Sequence, residues 1–305
     1  MAPINTVNDS LKSIIDQLKT LCVALDKQLD PPQDAPHKRS FADYGTHPSD
    51  AVKVFQWACV NGYLPFVKYC SRSMGLTISD CVRPNSTYAY AFRSACKYGH
   101  LSIVQYLVEN FKSNEDPQAE INEAFQSSCE NGHLPVIKYL VEMFKLKVED
   151  VRAINNKALR LACKNGHLPV VQYLVETFGL TADDVVGDDY NDVIFSSCKK
   201  GHLPIVQYLV ETFKLTAKDV LFDDIVLYNI CKKGHLSLVQ YLVETFKLTA
   251  KDFWRGNDTK KLLKWFYECC HMDVMEYLFD MIEVEGNRKL PDILELVKTH
   301  FANSE

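Results

Sequence analysis

Apolar and polar positions alternate with helical spacing in a segment that recurs along most of the chain. In the copy at residues 101–111, apolar residues at steps of three and four predict a helix with one buried stripe, whereas Gln105 and Glu109 face water. A glycine precedes this segment, and a run of small and apolar residues that includes Ala124 and Phe125 precedes the glycine in a later copy. Each copy is therefore predicted to be a helix-turn-helix unit.

The copies repeat at a nearly constant period. Five near-identical segments and two weaker ones occur, at residues 96–113, 129–146, 163–180, 198–215 and 231–248, and at 59–76 and 267–284. The glycines Gly62, Gly99, Gly132, Gly166, Gly201 and Gly234 are separated by 37, 33, 34, 35 and 33 residues. A unit of this length does not bury its own apolar face, so we expect seven units to stack into an all-α helical repeat solenoid over residues 50–284.

Short motifs mark the beginnings of the helices. Prolines at the start of four of the second helices, such as Pro135 and Pro169, suit the first helical turn because that turn needs no amide hydrogen from them. The connectors read LTADD at 180–184 and LTAKD at 215–219 and again at 248–252. Threonine followed three residues later by aspartate is similar to a capping box, so we predict a short helical turn in each connector.

The second half of each unit resembles the ankyrin repeat, whose pattern there is A-A-x-x-G-H-x-x-I-V-x-x-L-L. The matching residues in the second unit are Ala95, Cys96, Gly99, His100, Ile103, Val104, Leu107 and Val108. The first half departs from that family, since Lys157 to Arg160 stand where ankyrins begin with T-P-L-H. The predicted helical connectors replace the family's β-hairpins, and they resemble those of divergent ankyrin proteins abundant in amoebae and large DNA viruses. The resemblance implies a scaffold that binds protein partners.

The two ends of the chain lie outside the repeats. Residues 1–30 contain an apolar seam at three- and four-residue steps, which predicts an amphipathic helix that either caps the first unit or self-associates as a coiled coil to form a homo-oligomer. Residues 31–49 form a polar linker that contains prolines. Residues 285–305 predict a closing helix. Its segment LPDILELVKTHF resembles the start of an F-box, so the alternative function is a substrate adaptor for a ubiquitin ligase.

Composition and charge narrow the class of protein further. The formal net charge is -5 and the isoelectric point is about 6.0, which argues against a surface that binds nucleic acid over its whole extent. Neither an export signal nor an apolar run long enough to cross a membrane is apparent. The 11 cysteines follow the repeat period rather than forming pairs, so we expect reduced thiols in the cytoplasm or nucleus, or in the host cytoplasm if the source is a virus.

Two columns of residues with metal-binding chemistry follow the repeats. Cysteine occurs in six units where ankyrins have a second alanine, and histidine follows the turn glycine in most units. Equivalent positions in stacked repeats lie about one helix diameter apart, which is too far to share one ion. We therefore interpret the cysteines as small apolar fillers and expect the histidines to hydrogen-bond the turn backbone. Acid pairs such as Asp183 and Asp184 are interpreted as solvated turn and cap residues of connectors.

No motif predicts catalysis. The chain lacks a G-x-S-x-G sequence and a phosphate-binding glycine loop, and no cysteine, histidine and acid stand apart from the repeat pattern. We therefore expect neither an enzyme nor a site for a cofactor, a metal or a small-molecule substrate.

Residues that vary among the copies are candidates for recognition, because stacking does not require them. The two positions after the repeated cysteine match ankyrin residues of the concave face, and here they imply a basic ridge of Lys97, Tyr98, Lys164, Asn165, Lys199, Lys200, Lys232 and Lys233. An acidic protein surface would complement this ridge. The alternative is that these are solvated lysines that suit a helix C-terminus. Phe195 and Tyr228 are either aromatic anchors for a partner or packing variants.

Overall fold

The computed structural model describes residues 48–73, 87–110, 118–186, 193–221, 224–253 and 271–284. Within these ranges every regular element is helical and no residue lies in a β-strand. The helices are α1 (Pro48–Asn61), α2 (Leu64–Ser73), α3 (Thr87–Lys97), α4 (Leu101–Asn110), α5 (Gln118–Glu130), α6 (Leu134–Phe144), α7 (Val148–Lys164), α8 (Leu168–Phe178), a 3-10 turn (Ala182–Asp184), α9 (Val193–Lys200), α10 (Leu203–Phe213), α11 (Ala217–Val220), α12 (Asp224–Lys232), α13 (Leu236–Phe246), α14 (Ala250–Phe253) and α15 (Met272–Val284).

The chain divides into two compact units, Met1–Ala124 and Phe125–Glu305. In the first unit, α1 packs against both α2 and α3, and α4 packs against α2 and α3. The interior between these helices is apolar, with Phe55, Ala58, Cys59 and Val67 fully or almost fully buried. The first two predicted helix-turn-helix units are therefore present as packed helix pairs.

The second unit repeats this arrangement in two layers. The first helices α7, α9 and α12 pack side by side, and the second helices α8 and α10 pack against each other as well as against their own partners. Each second helix buries the same three positions, for example Ile205, Val206 and Leu209 in α10. The prediction of an all-α helical repeat structure is confirmed, because within each compact unit the helices bury their apolar stripes and successive first helices pack against each other.

A glycine in the left-handed region ends the first helix of each pair. In the pair α7 and α8, Gly166 has φ +84° and its amide donates to the carbonyl of Cys163, while the amide of His167 donates to the carbonyl of Ala162. This pair of bonds satisfies the final carbonyls of α7, as in a Schellman motif. Proline at the first turn of α6, α8 and α10 then starts the second helix, as the sequence predicts.

The predicted helical connectors are confirmed. Thr181, Thr216 and Thr249 are the N-cap residues of these connectors. The backbone amide of each donates to the carboxylate of the aspartate three residues later, at 2.7 to 2.9 Å. Each connector also buries the residue after that aspartate, namely Val185, Val220 or Phe253. The connector is thus held by a cap at one end and by an apolar contact at the other.

The connector after α6 is the exception, since it is continuous with the first helix of the next repeat and both belong to α7. Residues 148–164 contain a kink, because Ala153 is extended and Ile154, Asn155 and Asn156 all have φ between +53° and +56°. The side chain of Ile154 is 66% exposed, so no packing offsets the strain of a β-branched residue in this region. The sequence pattern gave no indication of this kink.

One connector acid, Asp184, caps its turn as predicted but is buried, so the prediction that it is solvated is wrong. Asp184 is only 8% exposed rather than solvated, and its carboxylate accepts hydrogen bonds from Nε and Nη2 of Arg152 at 2.7 and 2.8 Å. The same carboxylate caps the 3-10 turn through Thr181. The Arg152 guanidinium holds the pKa of Asp184 below its usual range.

Several predictions concern residues outside the described ranges. These are the amphipathic helix of residues 1–30, most of the linker of residues 31–49, and the closing helix of residues 285–305 with its F-box-like segment. Helix α1 begins at Pro48, two residues before the predicted start of the repeat domain at residue 50.

Candidate functional site

The residues of the predicted basic ridge lie at the C-terminal ends of the first helices. In the second compact unit, Lys164, Lys199, Lys200, Lys232 and Lys233 are all exposed. Four of them occupy the last helical turn and the fifth follows it directly. Ammonium groups suit this position because a helix C-terminus carries partial negative charge. In the first compact unit, Lys97 has the same placement at the end of α3.

Asparagine takes the second ridge position in three units, where it has a local structural role. The side-chain amide of Asn165 donates to the carbonyl of Leu161 at 2.9 Å, one turn earlier in α7. Asn61 and Asn131 make the same bond at the ends of α1 and α5. Since the amide nitrogen of Asn165 is used in this way, Asn165 contributes to the ridge mainly by ending its helix.

Three histidines of the column each join their own turn to the turn of the preceding repeat. Nε2 of His202 donates to the carbonyl of Lys164 at 3.0 Å, and His167 and His100 make the same contact with Glu130 and Val60 at 2.9 and 2.8 Å. The prediction that the histidines hydrogen-bond a turn backbone is confirmed for these three, although the turn belongs to the preceding repeat rather than to their own. The backbone that carries Lys164 is therefore fixed by the next repeat along the chain.

The turn glycines complete this contact. A methyl group added at Gly166 would lie 2.8 Å from the ring of His202, and one added at Gly201 would lie 2.4 Å from the ring of His235. No side chain larger than hydrogen fits between the backbone and the histidine at these distances. The repeated Gly-His sequence is thus explained by a contact between neighbouring repeats.

Burial changes the acidity of two of these histidines. Desolvation lowers the pKa of His100, although its bond to the Val60 carbonyl opposes that change. Desolvation also lowers the pKa of His235, and the nearby positive charge of Lys233 adds to the effect. The neutral ring is therefore the form that the folded chain favours.

Each of the two aromatic candidates contacts a lysine of the ridge. Phe195 is only 2% exposed, so the anchor interpretation is wrong for it and the packing interpretation is correct. Nζ of Lys199 lies 5.7 Å from the centroid of the Phe195 ring. Tyr228 is half-buried; its hydroxyl oxygen accepts a bond from Nζ of Lys232 at 2.9 Å, and the same Nζ lies 5.1 Å from the ring centroid. Both aromatic residues thus hold a lysine four positions later in the same helix.

In the first compact unit, the lysine and the aromatic ring beside it are adjacent in sequence instead of four positions apart. Nζ of Lys97 lies 5.7 Å from the ring centroid of Tyr98, its immediate neighbour. The half-buried Tyr98 ring is stacked on that of His100, with centroids 6.5 Å apart. A cation and an aromatic ring are therefore also present at this turn.

The cysteine column lies in the interior. Cys59, Cys96, Cys129, Cys163, Cys198 and Cys231 are completely buried and none forms a disulfide. Burial raises the pKa of the Cys163 thiol to about 12, so the thiolate required for nucleophilic or metal-binding chemistry is disfavoured. Their predicted role as small apolar fillers is confirmed. Among the described ranges, no three histidine, cysteine or acidic residues are placed so that they could hold a metal ion.

In the part of the chain that the structure describes, no helix combines the length and the apolar composition that a bilayer crossing requires.

The sequence matches a known protein family. No curated protein matches the sequence. The crystal structure of the human ASB11 ankyrin repeat domain is similar, with 17% sequence identity and a TM-score of 0.48, over 65% of this chain and 85% of that one. The family described as ankyrin repeats (3 copies) matches residues 55–150, 92–186 and 126–219, which together span more than half of the sequence. Ankyrin repeats are in general protein-protein interaction modules and are typically not enzymes. The chain belongs to the ankyrin repeat family.

Proposed function

We propose that this protein is an interaction scaffold that carries out no chemistry itself and binds an acidic segment of a protein partner along the part of the basic ridge that lies in the second compact unit. The observation that carries this proposal is the row of exposed lysines at the ends of α7, α9 and α12, which the histidine contacts hold in neighbouring turns. Five positive charges at three neighbouring turns attract acidic surfaces over one Debye length, which is roughly 8 to 10 Å at physiological salt.

The competing explanation is that the lysines only stabilise the ends of their helices. A cation at a helix C-terminus contributes about 0.3 to 1 kcal/mol. However, the same position holds Glu130 at the end of α5 and Val60 in α1, and both helices form. A lysine is therefore not required at this position for the helix to end or to stack. This supports a role for the charge in recognition.

The proposal is tested by recovery of partners with a charge-reversed ridge. The variant carries Lys199→Glu, Lys200→Glu, Lys232→Glu and Lys233→Glu in the full chain. Its control carries the same four-charge reversal at Lys145, Lys214, Lys218 and Lys247, which are exposed in other turns and connectors. Partners are captured from a cell extract and identified by mass spectrometry, and circular dichroism verifies that both variants are helical.

We expect the ridge variant to lose partners that the control and the unmodified chain both retain. If the ridge variant recovers the same partners as the unmodified chain, the lysines have no role in recognition. If the control loses the same partners to the same extent, the effect reflects total charge rather than the ridge.

A further inference from the structure

Three ridge lysines occupy equivalent positions in successive repeats. What they imply about the partner rests on the proposed function. Lys164, Lys199 and Lys232 each follow a cysteine that is completely buried in its repeat. A fixed buried neighbour places each lysine at the same point around its helix, and each lies two residues before its turn glycine. The three lysines therefore differ only by the step from one repeat to the next.

That step is set by helix packing. Helices α7 and α9 pack directly against each other, and so do α9 and α12. Packed helix axes are roughly 8 to 10 Å apart, so neighbouring charges of the ridge are separated by about that distance. The bond from His202 to the Lys164 carbonyl keeps the two turns from sliding along each other.

Common backbone conformations match this step to different degrees. In a β-strand, residues three apart advance by roughly 10 Å but point to opposite faces. On an α-helix, side chains three or four residues apart share a face but are only about 5 to 6 Å apart. Residues seven apart also share a face and are about 10.5 Å apart, so a helix matches this step with only one residue in seven. A polyproline II segment has three residues per turn and rises about 3.1 Å per residue, so every third side chain returns to one face after about 9.3 Å.

We propose that the basic ridge binds an acidic peptide segment in the polyproline II conformation, with a carboxylate at every third residue and one carboxylate for each repeat. Lys199 and Lys232 are held against Phe195 and Tyr228 before any partner arrives. Less side-chain freedom is then lost on binding, which favours a partner of matching spacing. Lys200 and Lys233 lie beside this row and increase its positive charge.

Two peptides of identical composition test the spacing. The first has the sequence EPAEPAEPA, in which glutamates recur at every third position, and the second has the sequence PAPEEEAPA, in which they are contiguous. Both carry a fluorescent label, and binding to the full chain is followed by anisotropy at low ionic strength. Because each exposed ion pair contributes modestly, we expect the spaced peptide to bind about fivefold more tightly than its isomer.

The chain provides a matched pair of variants for this assay. Lys199→Glu should remove the preference for the spaced peptide, since it reverses the central charge of the row. Lys218→Glu makes the same charge change at an exposed position in α11 and should leave the preference intact.

The outcomes separate the spacing from the proposed function. Equal binding of the two peptides, with both weakened by Lys199→Glu, would overturn the three-residue spacing and leave a ridge that binds acidic proteins. Failure of both peptides to bind, together with unchanged partner recovery by the charge-reversed ridge, would overturn both inferences. A single-stranded oligonucleotide that displaces the spaced peptide more effectively than unlabelled peptide does would assign the ridge to nucleic acid instead.

Discussion

Substitution of Gly166 tests the contact that joins neighbouring repeats. In Gly166→Ala the new methyl group has two separate effects. The residue must keep φ at +84°, where an L-residue loses roughly 1 to 2 kcal/mol. The methyl group would also lie 2.8 Å from the His202 ring, well inside the 3.5 to 4.0 Å of a favourable contact between carbon atoms.

Relief of that overlap has its own cost. The His202 ring is held by its bond to the Lys164 carbonyl at 3.0 Å, so moving the ring loses a hydrogen bond that contributes about 0.5 to 1.5 kcal/mol. Forcing an extra methyl group into a packed contact costs about 1 to 3 kcal/mol. We therefore expect Gly166→Ala to lower the free energy of unfolding by about 2 to 5 kcal/mol in all.

Gly179 provides a control for the backbone effect alone. It also has a left-handed conformation, with φ +58°, but an added methyl group there would have no neighbour within 4 Å. Gly179→Ala should therefore show only the conformational cost of roughly 1 to 2 kcal/mol, partly offset by a less flexible unfolded chain. The difference between the two variants isolates the contact with His202.

The assay is urea unfolding followed by circular dichroism, with a double-mutant cycle that adds His202→Ala. Removing the ring removes the overlap, so the double variant should be less destabilised than the sum of the single variants by about 1 to 3 kcal/mol. The reasoning fails if Gly166→Ala is no more destabilising than Gly179→Ala. It also fails if the effects of Gly166→Ala and His202→Ala simply add.

Three further predictions concern single residues. Lys214 ends α10 with φ +52°, so Lys214→Gly should raise the free energy of unfolding by about 1 kcal/mol in a urea titration. Asp219→Ala removes a cap alone and should lower the free energy of unfolding by about 1 kcal/mol. Asp184→Ala removes a cap and also the bonds from Arg152, so it should lower the free energy of unfolding by more than Asp219→Ala does. Burial lowers the pKa of His100 in the folded chain. Its contribution to stability is therefore complete above the unfolded pKa of 6.5 and is lost as the pH falls through the folded value. The urea midpoint should drop more between pH 7.5 and pH 5.5 in the unmodified chain than in His100→Gln.

Much of the fold could be predicted because each signal is local and recurs. The turn glycines, the prolines that start second helices and the threonine-aspartate caps all act within four residues, so a single sequence contains them. Repetition then distinguishes these signals from coincidence. Buried cysteines were predictable for the same reason, since each replaces an alanine of the family pattern at one fixed position.

Features that could not be predicted depend on residues far apart in sequence. Arg152 and Asp184 lie 32 positions apart, and nothing near Asp184 indicates that its partner exists. Two adjacent aspartates in a connector usually indicate solvated turn residues, which is correct for the exposed Asp183 and wrong for the buried Asp184. Phe195 likewise could not be assigned from the pattern, because an aromatic residue at a variable position is compatible with either a buried or an exposed side chain.

The turn of each repeat combines two kinds of residue that are neighbours in sequence but have different roles. Glycine and histidine are set by contact with the adjacent repeat, which leaves no room for another side chain at the glycine. The two positions before the glycine make no comparable demand, because Glu130 and Lys164 both end their helices and the backbone carbonyl of each accepts the same bond from the histidine of the next repeat. The charge presented at a turn can therefore change from repeat to repeat while the stack is kept. For this reason the ridge, rather than the glycine and histidine columns, is where a partner's charge pattern would be matched.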